Sequence, residues 1–315
     1  MTTPAPVVLH DTRRTTIGYA LLLSATVLFA LNGTVVKSIL LSGISATTLS
    51  ETRAIGSFVI LFVVVALIRP RALRIRRDEW KILLAYGVIG VSMTQFLYFL
   101  AIERMPIGIA LIIEFTAPIW VVLWVRFGRK QAVRGTVWVG LLLAVIGLAL
   151  VAQVWQGFTL DGFGVAAAFG AAFALALFYV LGEHQRRGDH ARDALSLTMW
   201  GMGGAALFWV VVPPWSLSAW GAYAGLSEPL AGVGPQLPLW LLTTWMVVMG
   251  TVIPFALAMK SLAYITAAQA SIIGMTEPLI ASIIAWIALA EVLTAAQIAG
   301  GAIVLVGVYL AERSR

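Results

Sequence analysis

The sequence predicts an all-α polytopic membrane protein of ten transmembrane helices, arranged as two inverted five-helix repeats. Of its 315 residues, 61% are hydrophobic and only 11% are charged, whereas soluble domains carry about 25% charged residues. Apolar runs long enough to cross a bilayer recur along the chain, and basic residues fall in alternate connections between them. The second half of the chain also repeats features of the first at a fixed spacing.

The apolar runs, each of about 18 residues or more, give the positions of the helices. In the first half we expect helices near 17–37, 46–68, 80–101, 107–126 and 135–154. In the second half we expect them near 162–183, 193–213, 238–259, 267–290 and 295–312. Met105-Pro106 separates the third helix from the fourth, because the residue before a proline disfavours helical geometry.

The distribution of lysine and arginine supports this count of helices. Of the 21 basic residues, 18 lie on one side of the predicted membrane, in alternate connections or near the termini, as expected for cytoplasmic segments. Lys37 and Arg104 lie on the other side, and Arg53 lies within a helix. We therefore predict a multi-pass protein of the plasma membrane, a bacterial inner membrane, with both termini cytoplasmic. Residues 1–16 would form a cytoplasmic tail.

The internal repeat predicts how the two halves are oriented. A spacing of 160 residues aligns Gly90 with Gly250 and residues 110–118 with 270–278. The spacing becomes 144 near the start of each half. Because each half contains five helices, an odd number, the second half enters the membrane from the opposite side. Inverted repeats of this kind are typical of secondary transporters, whose solute sites lie between the repeats.

The predicted domains follow from the repeat. The first repeat covers residues 17–156 and the second covers 160–312, which includes a predicted outer loop at 213–238. This loop contains aromatic residues but no lysine or arginine. It either forms a short interfacial helix, covers the outer entrance, or rests as a tethered loop at the headgroup level.

Polar residues within the spans are the candidates for a solute site, because ionisable groups in a bilayer cost several kcal/mol unless they are paired or hydrated. The substrate-binding candidates are Asn32, Arg53, Gln95, Tyr98, Glu114, Tyr179, Trp200 and Glu277. Glu51, Arg53 and Glu114 lie about 10 Å from the outer ends of their helices, which favours a hydrated cavity or an outward gate. Alternatively, Arg53 forms a structural ion pair with Glu114 or Glu51.

Prolines within the helices are the candidates for hinges, and together with Glu51 they form the gate or hinge set. Pro118 and Pro278 occupy equivalent positions in the fourth and ninth helices, and Pro254 interrupts the eighth. A proline bends a helix and leaves a backbone carbonyl without its usual donor. For Pro254, a static bend is an equal alternative. Glu277 directly precedes Pro278 near the midplane, where it either contacts a solute or a proton or serves packing.

Glycines on the last helix of each repeat indicate close helix packing. Gly140 and Gly147 are seven residues apart, as are Gly300 and Gly307. A spacing of seven returns to one face of a helix, where a small residue lets a neighbouring backbone approach. We expect a packing face there, within the chain or between two copies.

With these residues placed, the sequence resembles the EamA family of the drug/metabolite transporter superfamily over residues 17–312. The resemblance is carried by Phe29 to Asn32, Lys37, Arg53, Ala110 to Pro118, Ala270 to Pro278, Ala290-Glu291 and Gly300 to Gly307. The chain departs from the family pattern at Arg129-Lys130-Gln131, where Gly-Glu is usual, and at Trp200, where no arginine matches Arg53. The resemblance implies alternating access between the repeats, and often export of amino acids or other metabolites.

Other functions find little support in the residues. The chain has no cysteine, its three histidines lie outside the predicted hydrophobic core, and no phosphate-binding glycine loop or nucleophile motif is present. We expect no cofactor or metal, and no nucleic-acid partner, because the positive charge lies in loops between apolar runs. We predict a transporter that is embedded in the lipid bilayer and exports a small-molecule solute across the membrane. The solute would be an amino acid or a related amphipathic metabolite. A passive channel and a polytopic membrane enzyme are the alternatives.

Overall fold

The ten predicted helices are all present in the computed structural model. It describes residues 12–102, 104, 107–156, 161–187, 191–211, 217–228, 236–289 and 294–313. Within these ranges, nine helices are long and apolar enough to cross a membrane, and the tenth, Gly135–Val151, has 17 residues. At a rise of about 1.5 Å per residue, this helix is about 25 Å long, close to the thickness of a hydrocarbon core. The predicted polytopic all-α fold is confirmed, while the Met105-Pro106 break lies outside the described residues.

Six of the helices are continuous. They are α1 (Thr12–Leu41), α2 (Ala46–Ile68), α5 (Gly135–Val151), α6 (Gly162–Arg186), α7 (Ala194–Val211) and α10 (Ala295–Arg313). Helix α1 extends beyond the predicted 17–37, because the apolar pattern marks only the part within the hydrocarbon core. Helix α5 ends before the predicted residue 154, and Gln153 just beyond it has a positive φ of 49°, which is incompatible with a continued helix.

The other four helices are interrupted at positions that match between the repeats. Helix α3 (80–102) contains the π-helical turns Tyr86–Met93, and α8 (239–261) contains the π-helical turn Val248–Val252. Helix α4 (107–128) breaks between Ile107–Glu114 and Ala117–Leu123 and ends in a π-helical turn, Trp124–Gly128. Helix α9 breaks between Ala267–Gly274 and Glu277–Leu289. Such interruptions are frequent at functional sites.

Equivalent threonines stabilise the breaks in α4 and α9. The Thr116 hydroxyl donates to the carbonyl of Ile113 at 2.6 Å, and the Thr276 hydroxyl donates to the carbonyl of Ile273 at 2.7 Å. These side chains occupy carbonyls that a continuous helix would bond to a backbone N–H. Pro118 then stands second in the new helical piece, where its missing N–H needs no acceptor. Pro278 stands at the same place in α9.

The two repeats interlock helix by helix. Helix α1 of the first repeat packs on α8 and α9 of the second, and α6 of the second repeat packs on α3 and α4 of the first. Helices α2 and α7 pair across the repeats, as do α5 and α10. The reciprocal pattern is what an inverted duplication produces, and it places the centre of the molecule between the repeats.

The predicted glycine face lies between α5 and α10 of the same chain. A methyl group added at Gly140 would lie 2.5 Å from the carbonyl oxygen of Gly307, and one added at Gly307 would lie 2.5 Å from that of Gly140. Gly147 and Gly300 face each other in the same reciprocal way at 2.6 Å. The two backbones therefore touch directly, which accounts for small residues at all four positions.

Candidate functional site

Three charged side chains on three helices come together inside the bundle. Arg53 lies on α2, Glu114 is the last residue before the break in α4, and Glu277 is the first residue after the break in α9. The two carboxylates thus lie at helix breaks in different repeats. Their positions within the repeat differ, because residue 274, the equivalent of Glu114, is a glycine.

The three charges interact without forming a tight pair. The Arg53 guanidinium interacts electrostatically with Glu277 and, less strongly, with Glu114, and the two carboxylates also interact with each other. Among the described residues, no salt bridge within 4.0 Å includes Arg53. Neither of the ion pairs considered from the sequence, with Glu114 or with Glu51, is formed at that distance.

Two tyrosines complete this group of side chains. The Tyr98 phenol interacts most strongly with Glu114, and the Tyr179 phenol interacts most strongly with Glu277. The Tyr179 hydroxyl also lies 2.9 Å from the place that a methyl group on Gly274 would occupy, directly before the α9 break. We call Arg53, Tyr98, Glu114, Tyr179 and Glu277 the charged cluster. Each carboxylate in it has a phenol as neighbour.

The charged cluster is deep in the bundle but is not fully packed. All five side chains keep part of their surface accessible, although the residues beside them on α4 and α9, including Phe115 and Thr276, are buried. Partly accessible polar groups beside buried neighbours are the arrangement that a solute site inside the bundle requires. A cavity with apolar walls and a few convergent polar groups is typical of small-molecule sites.

The remaining candidates occupy other places. Asn32 is buried with its side chain against Gly250 in the π-helical turn of α8, and its Oδ1 atom has no hydrogen-bond partner among the described residues. The indole N–H of Trp200 on α7 is also buried, and it too finds no acceptor within the part of the chain that the structure describes. Gln95 is three residues from Tyr98, so it lies on the same face of α3 and is partly accessible. The described contacts thus unite five of the eight substrate-binding candidates.

Glu51 faces the outer loop, away from Arg53. The neighbouring Thr52 hydroxyl forms a 2.9 Å hydrogen bond with the Tyr223 hydroxyl. Burial raises the pKa of the Tyr223 phenol, the hydrogen bond with Thr52 opposes this, and the Glu51 carboxylate nearby raises it further. Glu51 and Arg53 are two residues apart on α2 and so point in different directions.

The described part of the outer loop contains a short 3-10 helix, Leu217–Ala224. The Ser38 hydroxyl of α1 donates to the carbonyl of Glu228 at 3.1 Å, and the Glu228 N–H donates to the Ser42 hydroxyl at 2.8 Å. Together with the Thr52–Tyr223 contact, these bonds hold the loop at the ends of α1 and α2 that lie opposite the basic end.

An aromatic layer of Phe29, Tyr86, Phe178 and Phe255 packs between the two repeats. The rings of Phe29 and Phe178 pack on Phe255, at centroid distances of 5.2 and 5.6 Å, and Tyr86 stacks on Phe178 at 5.6 Å. Phe255 and Phe178 lie nearer than the three charges to the basic end of the bundle, where the connections after α2, α4, α6 and α8 lie. This layer could not be predicted from the sequence, because these phenylalanines resemble lipid-facing ones in an apolar run.

Ion pairs hold the basic end together. The buried Glu79, before α3, pairs with the buried Arg192, before α7, and Arg192 also donates to the carbonyls of Ala72 and Arg74 at 3.0 and 2.8 Å. Burial alone would raise the pKa of Glu79, but hydrogen bonds and charge from Arg192 and Arg76 lower it. These contacts join a connection of the first repeat to one of the second.

A second ionic cluster lies at the end of α6. The Glu183 carboxylate, with 3% of its side chain exposed, lies 2.7 Å from a guanidinium nitrogen of Arg129 and 3.3 Å from one of Arg187. Arg187 also donates to the carbonyl of Leu262, just after α8, at 3.0 Å. Every salt bridge found in the described ranges lies at the basic end. These ion pairs, like Phe178 and Phe255 of the aromatic layer, lie nearer to that end than the charged cluster does.

Comparison with known proteins places this arrangement in context. The model of the EamA-like transporter family matches the chain twice, at residues 16–153 and 162–312. The threonine/homoserine exporter RhtA of Escherichia coli K12 is 29% identical over 244 residues, which cover 77% of this chain and 75% of the exporter. An uncharacterised transporter of Archaeoglobus fulgidus is 28% identical over 231 residues, covering 72% of this chain and 76% of that protein.

The fold is also found among solved structures. One crystal structure superimposes with a TM-score of 0.70 over 95% of this chain and 96% of its own, at 17% sequence identity. At that identity the likeness concerns the fold alone.

Proposed function

Because this chain belongs to the EamA-like transporter family, we propose that it is a secondary transporter that moves an amino acid or a related amphipathic metabolite by alternating access. The observation that carries the proposal is the charged cluster, in which Arg53 has no salt bridge within 4.0 Å to any described residue. An unpaired arginine and two carboxylates inside a membrane are costly unless a solute or water satisfies them.

The cluster has the groups that an amino acid requires. A guanidinium binds a carboxylate through two parallel hydrogen bonds, so Arg53 would hold the solute carboxylate. Glu277, its stronger electrostatic neighbour, would accept hydrogen bonds from the solute ammonium. Tyr98 and Tyr179 supply aromatic walls with polar tips, which suit an amphipathic solute.

The interrupted helices support a mechanism in which one repeat moves against the other. Glu114 and Glu277 lie at the breaks of α4 and α9, so a rotation there changes the cluster directly. Pro118 and Pro278 are proposed as the hinges, with Pro254 beside the π-helical turn of α8 as a third. Glu51, near the outer loop, is proposed to act at the outer gate.

The direction and setting of transport are part of the same proposal. We propose export across the plasma membrane, in line with the name of the Escherichia coli relative. The basic end would face the cytoplasm with both termini, because lysine and arginine concentrate in cytoplasmic connections. Because buried ion pairs join the connections at the basic end, the conformation is proposed to be outward-facing.

Counterflow in proteoliposomes tests the proposed function. Vesicles preloaded with unlabelled amino acid should accumulate the same labelled amino acid, and Arg53→Ala and Glu277→Gln should abolish the signal. Arg69→Ala is the matched control, because Arg69 is exposed at the basic end and should leave transport unchanged. Absence of counterflow for every amino acid, amine and small metabolite tested with folded protein would refute the proposal.

A further inference from the structure

The connection between α2 and α3 concentrates positive charge at the membrane boundary. The helical stretches on either side of it, Thr47–Ile68 and Trp80–Ala101, are both long and apolar enough to span the membrane. Residues 69–81 contain six basic and two acidic side chains, which gives a net charge of +4. Four of the basic side chains form no salt bridge within 4.0 Å to a described residue: Arg71, Arg74, Arg77 and Lys81. We call these four side chains the basic patch.

The acidic groups near the basic patch are already paired with other basic residues. Arg69 lies 2.6 Å from the Asp193 carboxylate. Arg76 lies 3.5 Å from the carboxylate of Asp78 and 3.4 Å from that of Glu79. All four residues of the basic patch are exposed. Their positive charge is therefore directed to the surroundings of the protein.

The backbone that carries the basic patch is fixed from inside the protein. The buried Arg192 donates to the carbonyls of Ala72 and Arg74 at 3.0 and 2.8 Å. The Ser196 hydroxyl on α7 donates to the carbonyl of Ala72 at 2.7 Å. Because this backbone is held in place by α7 and the residues before it, a ligand has to order only side chains, which lowers the entropy cost of binding.

Exposed apolar side chains border the basic patch on its membrane side. Leu67 and Ile68, at the end of α2, have 79% and 67% of their surface exposed, and Trp80, at the start of α3, has 48% exposed. The Lys81 ammonium lies 5.7 Å from the centre of the Trp80 ring. Tryptophan is enriched where a membrane meets water. The surface thus combines apolar groups that suit acyl chains with cationic groups that suit a charged headgroup.

We propose that the basic patch binds an anionic phospholipid of the surrounding bilayer. Guanidinium groups bind phosphate oxygens through paired hydrogen bonds, and basic clusters beside a membrane helix attract anionic headgroups. The headgroup contacts the basic patch, and the acyl chains lie against Leu67 and Ile68. A zwitterionic phospholipid carries no net charge to complement the patch. This site is separate from the charged cluster and does not depend on which solute is transported.

Lipid retention by the purified full chain tests this proposal. Delipidated protein in detergent is titrated with phosphatidylglycerol or with phosphatidylcholine, and native mass spectrometry measures the lipid that remains bound. We expect phosphatidylglycerol to bind at least about tenfold more tightly, since each basic side chain near an anionic surface contributes about fivefold. The triple variant Arg71→Gln/Arg74→Gln/Arg77→Gln should lose this preference.

A second triple variant is the matched control. Arg126→Gln/Lys130→Gln/Arg134→Gln removes the same charge from exposed residues around the end of α4, outside the basic patch, and should keep the preference for phosphatidylglycerol. Glycerol phosphate, which carries the anionic group without acyl chains, should not displace the bound lipid. Melting temperatures of both variants without added lipid should equal that of the wild type, because the substituted side chains are exposed.

Three results would overturn the proposal. Equal binding of the two phospholipids by the wild type would show that the protein does not select an anionic headgroup. An equal loss in the two triple variants would show that total charge attracts the lipid and that the basic patch does not. Displacement of the lipid by glycerol phosphate at the same concentration would assign the patch to a soluble anion. None of these results bears on the transport function, which the counterflow experiment tests separately.

Discussion

Arg53 and Glu277 belong to different repeats, yet their charges interact inside the membrane. Arg53 stands on a continuous helix, α2, whereas Glu277 begins the second piece of the broken helix α9. Movement of one repeat against the other must therefore change the distance between the two charges. A solute that bridges them would be sensitive to that movement, which is the requirement for coupling binding to alternating access.

Loss of the Glu183 charge should loosen the basic end. Glu183→Gln removes the buried partner of Arg129 and Arg187. Because the chain contains no cysteine, a single cysteine at Ala256, next to Phe255, reports on the aromatic layer without background and leaves its rings in place. We expect labelling of this cysteine by a membrane-impermeant maleimide, applied from the basic end, to become faster in Glu183→Gln. Arg69→Gln is the control, because its ion pair with Asp193 is exposed and contributes little. Equal labelling rates in both variants would contradict a closing role for Glu183.

Loss of Glu79 should destabilise the protein in a pH-dependent way. Glu79→Gln leaves the buried Arg192 without its carboxylate, and removing one partner of a buried pair costs about 3–5 kcal/mol. The pKa of Glu79 is lowered from 4.5 in the folded state. Its contribution is therefore complete above the unfolded pKa and is lost as the pH falls through the lower folded pKa.

Thermal unfolding in detergent at several pH values measures this effect. The gap in melting temperature between wild type and Glu79→Gln should be full at neutral pH and should shrink on acidification below 4.5. Asp78→Asn is the control, because the Asp78 side chain is 69% exposed and should change the melting temperature little. A gap that stays constant with pH would show that the Glu79 carboxylate is not the stabilising group.

A methyl group between α5 and α10 should destabilise the fold. Gly147→Ala places its Cβ atom 2.6 Å from the carbonyl oxygen of Gly300, so the two backbones must separate. Overpacking of this kind costs about 1–3 kcal/mol. Gly135→Ala on the same helix is the matched control, because no atom lies within 4 Å of its added methyl group. Unfolding followed by tryptophan fluorescence should give a lower melting temperature for Gly147→Ala alone, and equal values would contradict the direct backbone contact.

The sequence predicted the membrane helices well because hydrophobicity and charge act on whole segments. The repeat spacing also aligned Thr116 with Thr276 and Pro118 with Pro278, which mark the two breaks. Arg53, Glu114 and Glu277 were recognisable because an ionisable residue stands out in an apolar helix. That Glu277, and not Glu51, is the stronger neighbour of Arg53 depends on how α9 faces α2, and no local pattern encodes this.

Contacts between the segments that connect the helices could not be predicted from the sequence either. Glu79 and Arg192 are far apart in the chain, and each looks like an ordinary charged residue at the end of a helix. Their burial results from the packing of α3 on α7, where Gly87 and Gly204 let the backbones meet. The position of the Asn32 side chain could not be predicted either, because its contact with Gly250 depends on the π-helical turn in α8.

Adding one methyl group at Gly250, against Asn32, should destabilise the protein. A Cβ atom at Gly250 would overlap the Asn32 side chain, so Gly250→Ala should force α1 and α8 apart and lower the melting temperature. Gly33→Ala, on α1 beside Asn32, meets no atom within 4 Å and should be tolerated. Because the clash is with one side chain, the double variant Gly250→Ala/Asn32→Ala should recover much of the loss, which a double-mutant cycle measures as a coupling energy. Additive losses in the two single variants would mean that the methyl group disturbs the π-helical turn itself and not its contact with Asn32.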